Sequence, residues 1–138
     1  MATPKTFTTR IDLAPETRAQ MIALLNQQLA DTFDLFSQTK QAHWNVKGAQ
    51  FYQLHELFDK LAEEVEGFVD LIAERATALG GTAMGTVRMA AGASRLPEYP
   101  VDTVDSRRTG TWHIGAAPDC RARAHALQRR RRRLSRSA

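Results

Sequence analysis

From Pro15 to His43 the apolar positions Ile22, Leu25, Leu29, Phe33 and Phe36 recur at three- and four-residue spacings. That period stacks side chains on one face of an α-helix. Pro15 suits the first helical position and Glu16 the opening turn, while Gly48 is a natural stop. His43 falls on the same stripe, so the helix turns it inward; Trp44 beside it reads as core. A second periodic segment opens near Phe51. Leu54, Phe58, Leu61, Val65, Phe68 and Ile72 lie on one side of it, and His55, Asp59, Glu63, Glu66, Asp70 and Glu74 on the other. Gly67 costs this helix about 1 kcal/mol relative to alanine, which packing can absorb. Gly80-Gly81 end it, and residues 83–91 are expected to form a short third helix. Two long amphipathic helices joined by a short link read as an antiparallel hairpin, so the fold class is all-α.

Composition keeps this picture and excludes others. A chain of 138 residues, 43% hydrophobic and 25% charged, supports one small globular core. No stretch approaches the ~20 apolar residues of a membrane span, and no signal-peptide pattern precedes the first helix. The single cysteine, Cys120, has no internal partner for a disulfide, which agrees with a reducing cytoplasm.

The chemistry is concentrated in the second helix. His55 and Asp59 are four residues apart, and Asp70 and Glu74 repeat that spacing further on; His43 lies twelve residues before His55. Each pair shares a helical face. Imidazole plus carboxylate, with no thiolate in reach, suits iron or manganese better than a structural zinc site. Acidic runs on helices are usually solvated faces, and His55 alone could be an ordinary half-buried histidine. An inward-facing His43 near a carboxylate row favours a metal. Asp59 and Asp70 are about 16 Å apart along one helix, so one chain cannot bring both pairs to one ion. A second copy across a two-fold axis would set Asp70 and Glu74 opposite His55 and Asp59.

Specific motifs resemble the Dps family, the DNA-binding proteins from starved cells. They are Lys40-Gln41-Ala42-His43-Trp44-Asn45-Val46-Lys47-Gly48, then Phe51, His55 and Phe58-Asp59. Ala73-Glu74-Arg75-Ala76 with Leu79-Gly80-Gly81 follow, and Leu96-Pro97-Glu98-Tyr99-Pro100 resembles the family's connector. The resemblance runs from about Met21 to Asp105. It implies a ferritin-like four-helix-bundle subunit of which the first two long helices and a short connector helix are recognisable here. It implies a homo-oligomeric, dodecameric cage that oxidises iron, with hydrogen peroxide as the preferred oxidant, and stores the ferric product. The ferroxidase centre it implies takes His43, His55 and Asp59 from one subunit and Asp70 and Glu74 from the other. Non-specific DNA binding, cytoplasmic or nucleoid location and protection of DNA from hydroxyl radicals complete the expectation.

The resemblance stops near Ser106. Residues 1–106 form the incomplete Dps-type domain and hold nine basic and fourteen acidic residues, a net of −5; residues 107–138 hold ten arginines and one aspartate, a net of +9. The overall +4 and pI near 9.7 therefore come from this segment. It has no sustained apolar stripe at helical spacing, so an irregular tail is expected. Three origins compete: a DNA-binding arm whose arginines neutralise phosphates without reading sequence, a basic extension with no such role, or a shifted reading frame. Its lack of lysine and its wealth of arginine, alanine and glycine favour the frameshift. The alternative functions that follow are a non-specific DNA-binding or inactive truncated product, and an unrelated two-helix metal-binding dimer.

Overall fold

In the computed structural model, residues 5–102 are described; the arginine-rich segment lies outside them. They form three helices, α1 (Pro15–Asn45), α2 (Phe51–Ala78) and α3 (Val87–Ala93). No strand occurs among the described residues, so the all-α expectation holds.

Pro15 takes the first position of α1, where its missing N–H costs nothing. At the other end Val46 turns extended (φ −61°, ψ 136°), and Gly48 at φ 108° reverses the chain in the left-handed region. The α1–α2 link is therefore only five residues, 46–50. It enforces the antiparallel hairpin. Ala42 and Val46 of this corner bury against Phe58, with Leu54, Leu61 and Tyr99 packed around them.

The far end closes on a second glycine. Gly80 lies at φ +81°, and a Cβ there would come within 2.3 Å of the Phe7 carbonyl oxygen. A Cβ on Gly81 would meet Ile22 at 2.6 Å. Both positions thus need glycine, for conformation and for close approach. Phe7 N–H donates to Gly80 O (2.7 Å) and Thr82 Oγ1 to Lys5 O (2.7 Å), which ties the segment before α1 to the end of α2.

The third helix begins four residues later than the spacing suggested. Thr86 supplies the reason: its Oγ1 accepts from Met89 N–H, an N-cap that fixes the start at Val87. A polar row on α1 then holds the returning chain. Gln27 donates to Ala93 O (2.9 Å), Ser94 Oγ to Asp34 (2.6 Å) and Gln38 to Pro97 O (2.9 Å). Arg95 meets Asp31 through its backbone N–H, its Nε (2.9 Å) and its Nη2. Desolvation pushes the Asp31 carboxyl up. The hydrogen bonds and charge of Arg95, with help from Gln27, outweigh it and hold Asp31 below the usual carboxylate value.

Two side chains assigned to the core are instead exposed. Trp44 is 66% accessible and Phe68 57%. Trp44 follows the inward-facing His43 by one residue, a rotation of about 100°, and so leaves the stripe. Its ring instead lies 5.9 Å from the Lys40 ammonium. Phe68 sits at the edge of the α2 stripe, about 80° around the helix from the buried Phe58.

Candidate metal centre

The short link brings the last turn of α1 beside the first turns of α2. His43 and His55 stack there, with ring centroids 3.8 Å apart and planes inclined by 23°. Each also binds the other's main chain: His43 Nδ1 lies 2.9 Å from His55 O, and His55 Nδ1 lies 3.0 Å from His43 O. A carbonyl oxygen only accepts, so both Nδ1 atoms carry the proton. In the neutral rings the lone pair is then on Nε2, the atom free to ligate, and the ring orientation is set by the second bond, as in most metal-binding histidines. Helix termination explains why this works. The His43 carbonyl is among the last four of α1, which have no partner within the helix, and His55 supplies one. The Phe51 ring also lies against His55, with centroids 5.0 Å apart.

Asp59 is one turn beyond His55. Its Oδ1 lies 3.9 Å from His43 Nε2 and 2.6 Å from Lys40 Nζ. The hydrogen bond from Lys40 holds the Asp59 carboxyl below the usual range, against a smaller desolvation effect, with further help from the charges of Lys40, His43 and His55. Lys40 is the functional neighbour that the sequence reading passed over. The signal was available: it precedes His43 by three residues and therefore shares its face.

His43, His55 and Asp59 are thus brought together, and Asp70 and Glu74 are not. Both lie further along α2, exposed to solvent. Between the two groups runs an acidic trough. A cleft of about 360 Å³ is lined by Phe36, Lys40, Asp59 and Ala62, and a second of about 560 Å³ includes Leu29, Asp70 and Ala73; Glu63 and Glu66 border both. Among the described residues of a single chain, no three His, Cys, Asp or Glu side chains are grouped so as to hold a metal ion. No described helix is long and apolar enough to cross a membrane.

Comparison with known proteins gives a consistent answer. A family profile described as a ferritin-like domain matches residues 22–108. The DNA protection during starvation protein of Agrobacterium fabrum is 43% identical over 98 residues, covering 71% of this chain and 60% of that protein. DpsC from Streptomyces coelicolor superposes with a TM-score of 0.67 at 40% identity, covering 70% of this chain and 56% of that one. For Mycobacterium smegmatis Dps the values are 0.68 and 31%, over 72% and 60%. The chain therefore spans about three-fifths of the length of these relatives.

Proposed function

Because the chain belongs to the Dps family of ferritin-like proteins, we propose that it oxidises and sequesters Fe(II) at a two-fold intersubunit centre and thereby protects DNA. The observation that carries this reading is the reciprocal His43–His55 arrangement, which leaves both imidazole Nε2 atoms unprotonated, that of His43 lying 3.9 Å from the Asp59 carboxylate. Imidazole nitrogens hold ferrous ion well, and carboxylates favour the harder ferric product. Asp70 and Glu74 of a second subunit complete the donor set, since their own chain holds them too far along α2. Iron is the substrate. Two Fe(II) each give one electron to one hydrogen peroxide, which takes up two protons and leaves as two waters. The ferric product collects inside a homo-oligomeric, dodecameric shell. Consuming peroxide and ferrous iron together suppresses hydroxyl-radical damage without any contact to a base.

A second component follows from residues 107–138, whose ten arginines bind DNA electrostatically and without sequence preference. Their contribution is read from DNA retention against salt, which should fall steeply as salt rises.

The intersubunit centre is tested by complementation. His55→Ala/Asp59→Ala chains and Asp70→Asn/Glu74→Gln chains are each inactive alone. Co-assembled, half the dimers are mixed, and each mixed dimer has one complete centre of two. Fast iron oxidation should return to roughly a quarter of the unsubstituted level. No recovery in co-assembled material would refute the shared centre.

A further inference from the structure

The corner that carries the histidines has a core of its own, and one part of it comes from outside the hairpin. Ala42 and Val46 stand at the end of α1, and Leu54, Phe58 and Leu61 on α2; Tyr99 is brought to them by the connector. Two of these neighbours adjoin the ligands in sequence: Ala42 precedes His43, and Phe58 precedes Asp59. The place of Tyr99 is set by α1 itself. Gln38, one turn before Ala42 on the same face, is buried and donates to Pro97 O (2.9 Å). Further up α1, Asp34 accepts from Ser94 and Asp31 from Arg95. Pro97 and Pro100 fix φ on either side of Glu98-Tyr99, so an anchor at residue 97 carries over to the ring two residues later. Burial raises the Tyr99 phenol above its usual value, and the ring sits neutral in its seat.

We propose that Tyr99 is a positioning residue for the metal centre: its ring holds the end of α1 and the start of α2 at the spacing where His43 and His55 bind each other's main chain. The inference rests on the reading of His43, His55 and Asp59 as ligands. The reciprocal bonds run from one helix to the other at 2.9 and 3.0 Å, so they fail once the corner opens by roughly half an ångström. A metal site needs its donors held to about 0.5 Å as well. Ala42 and Val46 are small and cannot fill the space that a truncated tyrosine leaves, so the helices relax into it. The polar row on α1 is then more than a tether. It seats the connector, the connector seats Tyr99, and Tyr99 keeps the two carbonyls where the imidazoles need them.

The test uses the full chain with 15N-labelled histidine and compares Tyr99→Ala, Tyr99→Phe, Gln38→Ala and Ile22→Ala. Ile22 stands beside Gly81 at the far end of the hairpin, about 30 Å along α1 from His43. Its truncation loosens the helix pair without reaching the corner. Without metal, the hydrogen-bonded ring N–H groups of His43 and His55 should exchange with water about ten-fold faster in Tyr99→Ala. Co(II) should bind that variant about ten-fold more weakly. Tyr99→Phe should restore both readings, because the ring is what fills the seat. Gln38→Ala keeps the ring and removes an anchor, and should move both readings the same way by a smaller factor. Ile22→Ala should move neither. Unchanged ring exchange in Tyr99→Ala would overturn the proposal, as would an Ile22→Ala chain that shifts equally. If circular dichroism shows that Tyr99→Ala does not fold, Gln38→Ala against Ile22→Ala decides in its place. The ring-proton comparison needs no metal, so it judges Tyr99 even where the unsubstituted chain takes up no Co(II), the result that would count against the metal centre itself.

Discussion

The two ends of α2 carry the same kind of chemistry in opposite states of preparation. At the N-terminal end His55 and Asp59 are engaged before any metal arrives, by His43, by main-chain carbonyls and by Lys40. At the C-terminal end Asp70 and Glu74 project into solvent. The first group is built by the fold of one chain. In the proposed centre the second acquires its neighbours from another subunit, and a catalyst divided in that way would be silent until assembly.

The largest expected effect breaks the prepared end itself. His55→Ala with Asp59→Ala should lower fast Fe(II) oxidation by about 100-fold or more, while DNA retention stays unchanged. Stopped-flow absorbance and a gel-retention assay provide the two readings; undiminished oxidation would reassign the centre. Phe58→Ala comes next. Phe58 is 3% accessible and packs with Ala42 and Val46 at the same α1–α2 corner that carries His43 and His55. Its truncation should cost about 3–5 kcal/mol in chemical denaturation. Amide exchange should rise around residues 42–58 more than around 70–74, and uniform loosening would erase the contrast between the two ends.

Lys40→Met is a finer probe. Removing the ammonium frees Asp59 Oδ1 of its present partner, so a cation should bind more tightly at the histidine end, by several-fold in a Co(II) titration. Unchanged or weaker binding would show that Lys40 is no competitor. The smallest effect concerns the connector. The folded-state value of Asp31 is depressed, so its stabilising contribution is complete above the ordinary carboxylate value of about 3.9. The contribution is lost as pH falls through the lower folded value. Amide protection at residues 94–97 should therefore drop only in acid, and Asp31→Asn should flatten that dependence.

Much of this was legible in the chain. Three-and-four spacing located both long helices, and Gly48 and Gly80-Gly81 marked their ends because each supplies a conformation or a closeness that other residues resist. The donor row was legible for the same reason, since helical phase alone collects His55, Asp59, Asp70 and Glu74 on one side. Trp44 and Phe68 were misassigned because hydrophobicity reports what a side chain prefers, not whether a partner is there to cover it. The reciprocal histidine bonds were out of reach, because they depend on a five-residue link placing one helix's unpaired carbonyl against the next helix's first turn. The role of Asp31, Asp34 and Gln38 as a rail for the connector was hidden likewise: polar residues on a helix read as solvated until the segment that returns to them is known.

The stacked histidines have a consequence for how the protein tolerates change. Each ring is oriented by the other residue's main-chain carbonyl and stacks on the other's face, and a side-chain substitution removes only the second of these. Truncating His43 leaves its carbonyl in place for His55 Nδ1, so His55 keeps its tautomer and loses only the stacked face. In a double-mutant cycle the coupling between the two should therefore be limited to the ring contact, about 0.5–1.5 kcal/mol. The aim of each imidazole is written into the backbone, which no substitution at the partner position erases. A lineage can thus change one ring and keep the other pointed where it was.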